Sequence, residues 1–79
     1  MKDGQIIREF LQTLLSRKGD RKDFSDSEQL IAAGRLQSID ALEVVLFLEE
    51  KYGVDFAETG FDQNDVGSVD NILALISRR

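Results

Sequence analysis

The chain has no cysteine, no histidine, no proline and no tryptophan among its 79 residues. Without cysteine there is neither a disulfide framework nor thiolate chemistry. Without histidine, the side chain that titrates nearest neutral pH is missing as well. Together these absences weigh against a self-contained enzyme. They also weigh against zinc, which prefers nitrogen and sulfur and would find only carboxylates. Nor is there an apolar run near the roughly 20 residues of a membrane span, and the charged start "MKDGQIIREF" has no signal-peptide core. The chain reads as soluble, cytoplasmic and monomeric, and as free-standing because it ends near both domain boundaries. Ten basic against 15 acidic residues leave a net charge of -5. That charge repels nucleic-acid phosphates and anionic membranes, and favours basic partner proteins.

What is present is helical periodicity. A chain of this length has room for one domain. From Gln5 to Ser16, the residues Ile6, Ile7, Phe10, Leu11, Leu14 and Leu15 recur at three- and four-residue steps, the spacing of one helix face. Gly19 and the charges of "RKGDRKDFSDS" end that pattern and open a loop at residues 17–27. Phe24, Leu30, Ile31 and Leu36 should anchor the loop to the core, with a helical turn at 27–32. The basic cluster Arg17, Lys18, Arg21 and Lys22 reads as a solvated loop, with pairing to the acidic second helix of a neighbouring molecule as the other reading.

A second helix is expected from Ser38 to Tyr52, stopped by Gly53. Val54 and Phe56 then point inward from an extended link, "VDFAETG", and residues 61–66 make one or two helical turns. Ser68 caps a last helix with Val69, Ile72, Leu73 and Ile76 on one face and Arg78 and Arg79 at its end. The fold class is all-α, a small four-helix bundle of three main helices and one short one. "DQNDVG" touches a calcium-loop pattern at Asp62, Asn64 and Gly67, but Val66 and Leu73 stand where oxygen ligands belong.

The second helix has more apolar surface than a core face needs. Ala41, Val45, Leu48 and Tyr52 form one stripe with Val44 at its edge, while Ile39, Leu42 and Leu46 extend the apolar arc past half the circumference. Asp40, Glu43 and Glu50 run beside that ridge, with Phe47 among them. Such a ridge either docks a basic partner with a hydrophobic groove or lies under the preceding loop. Ser38 at the helix start is either an N-cap, worth about 1 kcal/mol, or a site for a phosphate ester, which a helix N-terminus stabilises. As a nucleophile it lacks a base, since Lys51 lies about 20 Å along the same helix.

"AAGRLQSIDALEVVLFLEEKYGVDF" resembles the modification segment of the acyl carrier protein family. In that family a glycine, two variable residues and Asp-Ser-Leu lead into a helix ending in Leu-Glu-Glu, with a glycine soon after. Ser38 takes the place of the serine that receives 4'-phosphopantetheine, and Ile39 that of the following leucine. The order of helices and the long first loop extend the likeness over nearly the whole chain. One departure is Gln37, where the family has an acid. It removes a negative charge from the surface that modifying enzymes approach.

The resemblance implies a chain that catalyses nothing. A phosphopantetheinyl transferase would move the arm from coenzyme A to Ser38. The holo protein would then carry acyl groups as thioesters for fatty acid, polyketide or related biosynthetic enzymes with basic docking surfaces. Gln37, Ile39, Asp40, Leu42, Glu43, Leu46, Phe47 and Glu50 would form its recognition surface, and no metal is implied. Two alternatives remain open: an aminoacyl or peptidyl carrier, and, motivated by Gln37, an unmodified carrier-like acidic interaction module.

Overall fold

A computed structural model describes residues 2–56 and 62–77. Among these residues there are three α-helices, a single 3₁₀ turn and no strand: α1 (Lys2–Arg17), α2 (Ser38–Tyr52), the turn Gln63–Val66, and α3 (Val69–Ser77). An all-helical bundle is therefore observed. Of the short helix expected at 61–66, the described part is the four-residue 3₁₀ turn, and Phe61 lies outside the described residues. No helix is long and apolar enough among the described residues to cross a membrane.

Helix α1 begins three residues before the periodic pattern does. Gly4 and charged residues at the start disguise that first turn in the sequence. Tertiary contact overrides the poor propensity. The Tyr52 hydroxyl donates to Asp3 Oδ1 at 3.4 Å, and a Cβ at Gly4 would rest 3.7 Å from Leu73. At the other end Gly19 adopts φ 84°. The amides of Asp20 and Gly19 donate to the carbonyls of Leu15 and Ser16, closing the helix with two reverse-running bonds. Ile7, Leu11, Leu14 and Leu15 are buried along one face, as their spacing requires.

Segment 18–37 is a loop throughout, ordered by anchors. Phe24, Leu30 and Leu36 are buried and Ile31 packs partly against the same core. The helical turn expected at 27–32 is a single one, displaced slightly: Ala33 N–H donates to Gln29 O at 2.9 Å, and no regular helix forms. The chain makes a run of turns at residues 30–34, closed by Arg35 N–H to Leu30 O at 2.9 Å and Gly34 N–H to Ile31 O at 3.0 Å. Gly34 supplies the positive φ of 81° that this closure needs.

Two arginines fasten the loop from either side of Phe24. Arg8 donates to the Phe24 carbonyl at 2.8 Å, bonds Asp26, and lies 4.5 Å over the Phe24 ring. Arg35 grips Asp20 through Nε at 3.0 Å and Nη2 at 3.1 Å, and Glu28 through Nη1 at 3.1 Å. These bonds hold the Asp20 carboxyl below its usual range and raise Arg35 further.

The loop also completes α3. Leu30 N–H donates to Gly67 O at 2.8 Å, and Asp70 N–H donates to Asp26 O at 3.0 Å. Ser68, buried, accepts from Asn71 N–H at 3.1 Å through its hydroxyl, so it is the N-cap expected of it. Val69, Ile72, Leu75 and Ile76 are the buried residues of α3, and Leu73 is only partly buried. Val54 and Phe56 point into the core as expected, but Phe56 is already helical, so the described part of the extended link is shorter than "VDFAETG". Residues 57–60 of that link, and Arg78 and Arg79, lie outside the described residues.

Candidate functional site: the exposed face of the second helix

Helix α2 divides into two faces. Ala41, Val44, Val45 and Leu48 are buried together with Asp40. Opposite them, Ile39 is 66% exposed, Leu42 50% and Leu46 56%. These are the three large apolar side chains that the described residues leave open to solvent. The preceding loop does not fold over them. Steps of three and four residues set them in one line, spanning about 10 Å along the helix. Such a line costs solubility unless something covers it.

Ser38 is exposed and stands at the head of this line as the first residue of α2. It is not the helix cap. That position belongs to Gln37, whose backbone is extended at φ −108° and ψ 174°. The Gln37 N–H donates to Asp40 Oδ2 at 2.8 Å, and its carbonyl accepts from Asp40 and Ala41 N–H at 2.9 and 3.1 Å. Asp40 thus closes the start of the helix from the third position, the half of a capping box that glutamate ordinarily fills. The carboxylate expected just before the serine is absent, yet the helix start is secured from within.

That duty takes Asp40 off the outer face. It is only 8% exposed, and Lys18 Nζ reaches the same oxygen at 2.9 Å. A buried carboxylate needs such partners, because desolvation without them is costly. Glu43 is half exposed and receives Arg17 Nη1 at 3.0 Å. Arg17, the last residue of α1, and Lys18, the first of the loop, expected to be solvated, instead pair with the first turns of α2 within the same chain. Sequence spacing gave no sign of this, since the partners lie more than twenty positions apart. Phe47 borders the open face rather than standing fully clear of the core, and lines a shallow surface groove with Leu46 and Glu50. It is half buried, stacked on Phe10 with ring centroids 4.1 Å apart and planes 9° from parallel, and belongs to the α1–α2 seam. Glu50 stays exposed one turn beyond Leu46.

The structure therefore brings Ser38, Ile39, Leu42, Leu46 and Glu50 onto one accessible face, with Gln37 exposed beside Ser38. Asp40, and in part Glu43 and Phe47, serve to hold that face in place. Elsewhere, "DQNDVG" is a capped turn. Asp62 N–H donates to Asp65 Oδ2 at 3.3 Å while Asp65 N–H returns to Asp62 O at 2.9 Å. Among the described residues no group of three or more potential ligands is arranged to hold a metal.

These features define a small all-helical protein with an exposed apolar ridge and an accessible serine at its head. Comparison with protein-family models, with curated proteins and with solved structures finds no match.

Proposed function

We propose that this protein is an acyl carrier, modified on Ser38 with 4'-phosphopantetheine. The observation that supports the reading best is the exposed Ser38 at the first position of α2, directly followed by the uncovered line Ile39, Leu42 and Leu46. A hydroxyl at a helix N-terminus suits a phosphodiester, because the dipole and the first amides favour the negative charge. When attached, the arm supplies the thiol that the sequence lacks, on which acyl groups ride as thioesters.

Modification needs an enzyme that brings coenzyme A to Ser38. A phosphopantetheinyl transferase takes the proton from the Ser38 hydroxyl. The serine oxygen then attacks the β-phosphorus of coenzyme A, breaking its pyrophosphate bond and releasing the adenosine bisphosphate. The carrier's own residues present the hydroxyl and dock the enzyme. Carriers of this kind work as cytoplasmic monomers that leave each biosynthetic enzyme quickly, and short-lived docking suits that cycle. Aminoacyl cargo uses the same frame.

A second reading has one observation in its favour. Gln37 occupies the cap position and leaves no acid beside the serine, which fits an interaction module that is never modified. Intact mass measurement separates the two. The protein is incubated with coenzyme A and broad-specificity transferases beside a Ser38→Ala variant. A mass gain of one phosphopantetheine in the wild type alone is expected. If several transferases leave the wild-type mass unchanged, the carrier reading is lost.

A further inference from the structure

The acid excess of this chain does not lie where the ridge lies. Residues 49–70 hold seven acids against a single lysine, whereas residues 2–48 hold eight acids against seven bases. Within the ridge region the balance is drawn tighter still. Asp40 is buried against Lys18 and the Gln37 amide, and Glu43 is matched by Arg17. Over the two turns that follow Ser38, the accessible surface is therefore mainly aliphatic and close to neutral, with Glu43 half exposed within its pair to Arg17. The first exposed carboxylate on that face without an ion pair among the described residues is Glu50, three turns from Ser38.

Long-range attraction to a basic surface needs a net field, and paired charges cancel theirs beyond a few ångströms. A partner lined with lysine or arginine opposite Ile39, Leu42 and Leu46 would bury its cations against aliphatic carbon with no free counter-charge. That arrangement is costly. An apolar cleft pays no such penalty and gains the area of three side chains.

We propose that the enzyme which receives α2 does so through an apolar cleft fitted to Ile39, Leu42 and Leu46, rather than through a basic face, any cation sitting at the far end beside Glu50. This partner assignment rests on the carrier reading, and it replaces the basic docking surface that overall charge suggests. Docking is then governed by shape and apolar area, and is insensitive to salt.

The test follows phosphopantetheine transfer to Ser38 by intact mass, using one broad-specificity transferase and coenzyme A. Leu42→Ser and Leu46→Ser are each expected to lower kcat/KM about tenfold, mostly through KM, with far-ultraviolet circular dichroism intact. Glu43→Gln and Glu50→Gln are expected to cost about twofold, and raising sodium chloride from about 0.05 to about 0.5 M should change the wild-type rate less than about threefold. A steep fall with salt, or a larger loss in the glutamine variants than in the serine variants, overturns the apolar cleft while leaving the carrier reading intact. Loss of helical signal in both serine variants overturns it too, because the ridge would then be core. No mass gain with any transferase removes the carrier reading and this one together.

Discussion

Asp40 shows how one side chain decides what a surface offers. From sequence it is an acid in the first turn of an exposed helix, and nothing local separates it from Glu43 or Glu50. Its carboxylate instead turns back to the Gln37 amide, and Lys18 arrives from the end of α1. Asp20 is a second case, and it carries a measurable consequence. The two bonds from Arg35 are the main cause of its lowered pKa, followed by the Lys22 amide. A carboxylate depressed in the folded state adds stability above its unfolded pKa, close to the ordinary 3.8. That contribution is lost as pH falls through the lower folded value. Urea midpoints measured from about pH 6 to about pH 2 should therefore place Asp20→Asn below wild type at the upper end and bring the two together in acid. A gap that persists undiminished at the acid end would mean that the lost stability does not come from the ion pair. Sequence offered no warning of either pair: Lys18 and Asp40 sit on different elements, and Asp20 and Arg35 lie fifteen positions apart within one irregular loop, where periodic spacing carries no information.

At the scale of elements, periodicity revealed α2 and its surplus. The stripe Ala41, Val44, Val45 and Leu48 is buried and the additional arc Ile39, Leu42 and Leu46 is not, so one pattern contained both a core and an open face. Pattern alone left open whether the loop covers that arc, since covering is a matter of chain path. Gly53 was readable as the end of α2, with φ 68° and its N–H returned to Glu49 O at 3.1 Å. The start of α1 was not, because Gly4 suppresses the local signal while Tyr52 and Leu73 supply the stabilising contacts from far along the chain. The two faces of α2 predict opposite responses to substitution. Leu48→Ala, at a position with no exposure, should cost about 2–5 kcal/mol. Leu42→Glu should stay within about 0.5 kcal/mol of wild type, as surface changes do, while impairing modification of Ser38. Chemical denaturation of the two variants side by side checks this. A Leu42→Glu protein as unstable as Leu48→Ala would place the ridge in the core and remove the docking face.

For the molecule as a whole, the unresolved balance is between helices that are short and a loop of twenty residues that joins two of them. Helices of nine to sixteen residues are marginal on their own, so their stability must come from mutual burial. The loop contributes to that burial directly. Phe24, Leu30 and Leu36 enter the same core as α1, α2 and α3, and the carbonyls of Asp26 and Gly67 tie the loop to the start of α3. Loop and helices should consequently unfold as one unit, even though more than half of the linking segment's side chains face solvent. Phe24→Ala tests the coupling. Removing a buried aromatic costs about 3–5 kcal/mol, a large share of the stability of a domain this small. If the core is shared, the helical circular dichroism transition falls by about 12 °C or more, at about 4–8 °C per kcal/mol for a domain of this size. If the loop instead peels away as a separate unit, amide exchange at Leu30, Leu36 and Asp70 accelerates while the helical transition stays at its wild-type temperature.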